Sequence, residues 1–146
     1  MTDTRIEIVP HGTPLWDSVI LLRLRILRTP LGLTFTPEDL ASERDEIQIA
    51  ALQAETVVGC LLLTPKSPLQ IKMRQVAVDT PLQGQGIGKE LVLFAEKTAR
   101  KRGFQEIVLN ARENVVPFYE RLGYTISSDR FIEVTIPHFT MQKTLS

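Results

Sequence analysis

The glycine-rich stretch Gln83-Gly-Gln-Gly-Ile-Gly-Lys89 constrains the fold more than any other, because of what flanks it. Before it, Ile71-Lys-Met-Arg-Gln-Val-Ala-Val78 reads as a strand; after it, Glu90 to Arg102 has helical spacing and stops at Gly103. A strand, a glycine turn and a helix in succession gather bare N–H groups and the positive end of a helix at one point. That point suits the phosphates of a nucleotide or coenzyme. The chain is therefore expected to handle a phosphorylated cofactor.

Spacing narrows which one. A P-loop requires Gly-x-x-x-x-Gly-Lys followed by a hydroxyl residue. Here Gln83 stands where the first glycine is needed, and Glu90 where the hydroxyl is needed. The dinucleotide fingerprint Gly-x-Gly-x-x-Gly fails as well. Counted from Gly84 its third glycine falls on Lys89, and counted from Gly86 on Leu91. What remains is Gln-x-x-Gly-x-Gly, carried by Gln83, Gly86 and Gly88.

Composition sets the class. A chain of 146 residues is expected to form one domain, residues 1–146. With 43% hydrophobic and 23% charged residues it is an ordinary globular chain. Lys+Arg and Asp+Glu balance at 17 each, so nothing favours nucleic acid or an anionic membrane as a partner. The single cysteine, Cys60, excludes an internal disulfide and a cysteine-rich zinc site, and suits a reducing compartment. No His or Cys cluster points to a metal. The N-terminus, Met1 to Ile8, lacks the apolar core of a signal peptide, and the run Val57 to Leu63 is too short to span a bilayer. A cytoplasmic location is expected.

Local signals place the elements. Arg5 to Val9 alternates as a strand. Thr13-Pro14 caps a helix in which Leu15, Val19, Leu22 and Ile26 share a face, with Arg23, Arg25 and Arg28 on other faces, ending at Thr29-Pro30. Thr36-Pro37-Glu38-Asp39 starts a second, short helix that fades near Glu46. Ile47–Leu52 and Thr56–Leu63 read as a hairpin turning at Gln53-Ala-Glu55. After the long helix come a strand at Gln105–Leu109, a helix at Val115–Leu122 stopped by Gly123, and strands at Thr125–Ser128 and Phe131–Gln142. The order β-α-α-β-β-β-α-β-α-β-β implies an α/β protein, a mixed sheet with helices on both faces.

The Gln-x-x-Gly-x-Gly turn, in this element order, resembles the pyrophosphate-binding motif of the GCN5-related N-acetyltransferases (GNAT family). Val115-Val-Pro-Phe-Tyr119-Glu-Arg-Leu-Gly-Tyr124 is similar to the family's Phe-Tyr-Glu-x-x-Gly-Phe/Tyr helix end. Ile136-Pro-His-Phe-Thr-Met141 is similar to the last strand of many bacterial members, and Leu31-Gly32 to a branch of small acetyltransferases. The resemblance covers nearly the whole chain. It implies the acyl-CoA N-acyltransferase fold, acetyl-CoA as co-substrate, and direct transfer of the acetyl group to an amine.

Carried over residue by residue, the resemblance lays the pantetheine arm against the main chain of Val76, Ala77 and Val78, with the Val76 N–H as oxyanion donor. The pyrophosphate would sit on the N–H groups of Gln83, Gly84, Gln85, Gly86, Ile87, Gly88 and Lys89. Tyr119 would lie beside the coenzyme sulfur as the acid. A phenol of pKa about 10 is uphill of a thiol near 8.5 by about 2 kcal/mol, so a strengthening hydrogen bond describes its role better than full proton transfer. Glu133 and His138 flank the closing strands and are candidates for the general base. Their plainer readings are a solvated hairpin charge and a hydrogen-bonded, partly buried ring. Many members carry an asparagine seven residues before the tyrosine, contacting the pantetheine arm of the coenzyme; here that position is Arg112. Asn110 is the replacement candidate, its alternative role being a cap on the following turn.

Two further readings stay open: transfer of another acyl group or to a non-amine acceptor, and an acyl-CoA-binding regulatory module with little turnover. Sheet edges often serve dimers in this fold, so a homodimer is a further expectation. The loop Arg28 to Phe35 and the closing strands are expected to shape the acceptor site, whose occupant is a small molecule or a peptide.

Overall fold

The computed structural model describes residues 3–145. The expected domain limits at Met1 and Ser146, and the first two residues of the N-terminal segment, lie outside that range. Eight strands are present: β1 (Thr4–Val9), β2 (Ile47–Gln53), β3 (Thr56–Pro65), β4 (Gln70–Val78), β5 (Glu106–Arg112), β6 (Thr125–Ile126), β7 (Phe131–Glu133) and β8 (Ile136–Thr144). The helices are α1 (Pro14–Arg23), α2 (Pro37–Ala41), α3 (Ile87–Lys101) and α4 (Val116–Arg121). The mixed sheet runs β1-β2-β3-β4-β5-β8-β6, with β7 on β8. The chain divides into two compact units. The first comprises residues up to Thr64 with Gln75–Ala95; the second comprises Pro65–Arg74 and the chain from Glu96 onward.

In the first unit, β1 and β2 pair antiparallel, as do β2 and β3. Thr13 caps α1 by accepting the Trp16 N–H at 3.2 Å, with Pro14 at the first position. Val19 and Leu22 of α1 enter a core with Val9, Ala50, Leu52, Cys60 and Ala77. Beside Cys60, Gly59 points the other way and receives α3: a β-carbon there would lie 3.0 Å from Leu91 Cδ1 and 3.2 Å from Ile87 Cγ2. Covered on both faces, β3 reads as the continuous apolar run Val57 to Leu63.

Two expectations need correction here. The helical path does not end at Thr29-Pro30: after α1 comes a π-helical turn, Leu24–Arg28, then a tight turn, Thr29–Leu31, closed by Gly32 at φ 71°. Pro30 is the second residue of that new turn, where an N–H has no acceptor within the turn to lose, so the path continues. Nor does α2 reach Glu46. Its Thr36/Asp39 capping box starts it as expected, but it stops at Ala41. Arg23, which the spacing places off the apolar face of α1, is a buried charge. It is fully buried, with Nη1 and Nη2 donating to the two carboxylate oxygens of Glu43 at 2.8 and 2.7 Å and Nη1 to Gln48 Oε1 at 3.2 Å. A guanidinium tolerates burial when a fork of acceptors replaces water.

In the second unit, β4 runs parallel to β5 over Gln70–Lys72, and β5 is antiparallel to β8 along its full length. The expected last strand, Phe131–Gln142, is two strands. Val134 and Thr135 both take positive φ, 50° and 64°, between the facing pair Glu133 and Ile136. This is the geometry of a two-residue hairpin turn, which matches the twist of the strands it joins. The element order therefore gains a strand at its end.

Candidate active site

The glycine turn lies in the first unit. β4 changes direction at Gln75, a non-glycine residue at φ 54°, whose carbonyl accepts the Cys60 thiol at 3.7 Å. A left-handed residue inside a strand re-aims the peptides on either side of it, and Val76 follows directly. At the strand's end the Asp79 N–H donates to the Val58 carbonyl at 2.8 Å, and its carboxylate pairs with Arg25 Nη1 at 3.1 Å. Gln83 turns back: its side-chain amide donates to the Val78 carbonyl at 3.0 Å and its N–H to Thr80 at 3.3 Å. Gly84 and Gly86 then adopt φ 85° and 88°, open to β-carbon space but strained for any other residue. Ile87 plugs the turn into the core at 4% exposure.

The first intrahelical bond of α3 is Glu90 N–H to the Gly86 carbonyl, 3.0 Å. The N–H groups of Ile87, Gly88 and Lys89 precede it and have no acceptor within the helix. These donors, on an exposed turn at a helix start, can hold an anion. Of the predicted coenzyme residues, Val76, Ala77, Val78 and Gln83 to Lys89 thus fall on one continuous segment. Gln83 contributes by tying that segment back on itself.

Tyr119, Asn110, Glu133 and His138 lie in the second unit. Tyr119 sits on α4 at 6% exposure, edge-on to Phe118 (5.0 Å) and to Tyr124 (5.7 Å). Burial raises its pKa, so the phenol stays protonated. Its hydroxyl has no hydrogen-bond partner among the described residues. Tyr124 differs: its hydroxyl donates to Glu96 Oε2 at 3.0 Å. Gly123 ends α4 at φ 95°, with the Tyr124 N–H on the Tyr119 carbonyl at 3.1 Å.

Asn110, Thr140, His138 and Glu133 share one face, as the facing pairs Asn110–Thr140, Phe131–His138 and Glu133–Ile136 require. Asn110 Nδ2 donates to Glu133 Oε2 at 3.0 Å, and the Thr140 hydroxyl donates to Asn110 Oδ1 at 3.0 Å. Asn110 therefore binds across the sheet and does not cap the next turn. His138 is 7% exposed and stacks on Phe131 at 5.9 Å. Its Nδ1 lies 2.7 Å from the Ile136 carbonyl. A carbonyl only accepts, so Nδ1 carries the proton and the neutral ring keeps its lone pair on Nε2. Tyr119 does not join this cluster, its ring neighbours being Phe118 and Tyr124.

Sequence reading missed Gln75, the Arg25–Asp79 pair and the Glu96 carboxylate. Only Asp79 carried a local signal, standing at a strand end before Thr80-Pro81. Among the described residues no group of three or more His, Cys, Asp or Glu can hold a metal ion, and no helix is long and apolar enough to cross a membrane.

A strand, glycine turn and helix of this form, on a mixed sheet in this order, defines the fold of acyl-CoA N-acyltransferases. Solved structures share it along nearly the whole chain. An aminoglycoside 6'-N-acetyltransferase complexed with coenzyme A superposes with a TM-score of 0.83 at 21% identity, covering 97% of each chain. An acyl-CoA N-acyltransferase from Pseudomonas aeruginosa gives 0.81 at 18%, covering 98% of this chain and 99% of that one. Residues 35–145 match the family model described as acetyltransferase (GNAT) domain. The chain belongs to the GNAT acetyltransferase family.

Among curated relatives, the uncharacterized N-acetyltransferase YjcF of Bacillus subtilis is 33% identical over 73 residues, 49% of this chain and 52% of that protein. The uncharacterized protein YyaT of the same organism is also 33% identical, over 75 residues and 51% of each chain. The chain thus spans about half the length of these curated relatives. Glucosamine 6-phosphate N-acetyltransferase of Trypanosoma brucei brucei is 35% identical over 52 residues, covering 36% of this chain and 35% of that protein.

Proposed function

We propose that this chain, residues 1–146 acting as one transferase domain, moves an acetyl group from acetyl-CoA directly onto an amine. The observation that carries this reading is the turn from Val78 to Lys89. It tethers Gln83, opens the backbone at Gly84 and Gly86, and presents N–H groups that have no acceptor within the helix at the head of α3. In this reading the pyrophosphate rests on those N–H groups and the pantetheine arm follows the main chain of Val76, Ala77 and Val78. Asn110 acts at one remove, by holding Glu133.

The amine lone pair attacks the thioester carbonyl, the Val76 N–H accommodates the oxyanion, and the C–S bond breaks as Tyr119 donates a hydrogen bond to the departing sulfur. His138 Nε2 takes the ammonium proton, directly or through water, with Glu133 the second candidate. No metal is needed for any step. The setting in this reading is the reducing cytoplasm, supported by the lone free cysteine, and the assembly a homodimer.

Thiol release from acetyl-CoA in the presence of an amine panel tests the proposal. Amino sugars and aminoglycosides come first, because a relative and a fold neighbour act on them by name. Amine-dependent thiol release is the expected result. Coenzyme binding without release with any amine would establish the regulatory module instead. Release only from longer acyl thioesters would establish a different acyl donor.

A further inference from the structure

The geometry points to Lys143 as a positioning residue for Tyr119, an inference that rests on the reading of Tyr119 as the group facing the coenzyme sulfur. Lys143 Nζ, on β8, donates to the Leu122 carbonyl at 2.7 Å and to the Glu96 carboxylate at 3.1 and 3.2 Å. Leu122 is the residue that closes α4, the helix carrying Tyr119. Glu96 is 2% exposed on α3, and the same carboxylate accepts the Tyr124 hydroxyl. Tyr124 in turn sets its ring edge-on to Tyr119, with an interplanar angle of 73°. The end of the helix and one wall of the Tyr119 ring therefore lead to one ammonium–carboxylate pair.

The lysine stem reaches this position along Gly123, where a β-carbon would lie 3.3 Å from Lys143 Cε. Glycine at that position serves twice, allowing φ 95° and leaving room for the stem. Arg100 Nη2 also stands at 3.7 Å from Glu96, on the same helix and half exposed. Because the Tyr119 hydroxyl has no hydrogen-bond partner among the described residues, its aim depends on ring packing and on the helix end. Lys143 controls both without reaching the reacting atoms, and small displacements of a donor are costly in rate.

A double-mutant cycle tests this. Lys143→Met keeps the apolar stem and removes the charge; kcat should fall by about 10-fold with the KM for acetyl-CoA unchanged. In a Tyr119→Phe background the same change should cost nothing further, because no hydroxyl remains to aim. Glu96→Gln, which keeps an oxygen for Tyr124, should behave alike and replaces Lys143→Met if that variant folds poorly. Wild-type kcat in either variant, or losses that multiply with Tyr119→Phe, overturns the positioning role while leaving Tyr119 in place. Full activity of Tyr119→Phe alone overturns the reading of Tyr119 itself.

Discussion

Tyr119 and Tyr124 touch edge to face, yet their hydroxyls are used differently. Tyr124 donates to a buried carboxylate, and Tyr119 has no hydrogen-bond partner among the described residues. Burial lifts the Tyr119 pKa above its ordinary value, which makes full proton transfer to a thiolate still more uphill and leaves hydrogen-bond donation as its useful act. Tyr119→Phe should fold normally and lose about 10²-fold in kcat, measured by steady-state thiol release. Unchanged turnover in a folded variant removes Tyr119 from the mechanism. Cys60 makes a second residue-level case. Burial pushes its thiol up to about 12, with Arg23 opposing the shift. A thiol that remains protonated and out of solvent is a poor nucleophile. Cys60 should therefore resist iodoacetamide at pH about 8 in the folded protein and react promptly in denaturant. Rapid labelling of the native protein would contradict the core position given to it.

Gly59 shows how two elements are held together at the site. A β-carbon there would stand 3.2 Å from the Ala77 carbonyl oxygen as well as against Leu91 and Ile87, so the side chains of α3 rest directly on the backbone of β3. Gly59→Ala must push α3 or the Ala77 peptide away, at a cost of about 1–3 kcal/mol. Both are part of the proposed coenzyme cradle. The expected outcome is a lower midpoint in chemical denaturation and a raised KM for acetyl-CoA; wild-type values for both would show that the contact is slack. Gly59 illustrates what sequence could convey at this scale. Elements announced by local chemistry were legible: Thr13-Pro14, Thr36-Pro37 with Asp39, the glycine turn and Gly123 all act where they stand. The hairpin at Val134-Thr135 was not, because β-branched residues disfavour the positive φ that the strands impose on them. Arg23 and Glu96 were also illegible as buried charges, since the partners that make burial tolerable, Glu43 and Lys143, are distant in sequence. The strand, glycine turn and helix start were legible because they are continuous in sequence. The Asn110–Glu133–Thr140 contacts were not, because they exist only once β5, β7 and β8 are assembled.

At the scale of the whole molecule, the two tyrosines of the chain give a reporter that needs no label. Both have raised pKa values, Tyr119 through burial, Tyr124 through burial first and then through the Glu96 charge and its hydrogen bond. The sign of the resulting stability change follows from proton counting. Below pH about 10 folded and unfolded chains both keep the phenolic protons, and stability from this source is complete. Above it the unfolded chain releases them and the folded chain does not, so stability falls by about 1.4 kcal/mol per pH unit for each tyrosine until the folded-state pKa is reached. A domain stable by about 5–15 kcal/mol is exhausted within a few such units. An alkaline titration followed by phenolate absorbance and by circular dichroism should therefore show one coincident transition, with no phenolate appearing near pH about 10 while the fold persists. If absorbance rises near that pH with the circular dichroism unchanged, at least one ring is open to solvent. The same rise in a Tyr124→Phe variant would show that Tyr119 lacks the enclosed position on which its proposed role depends.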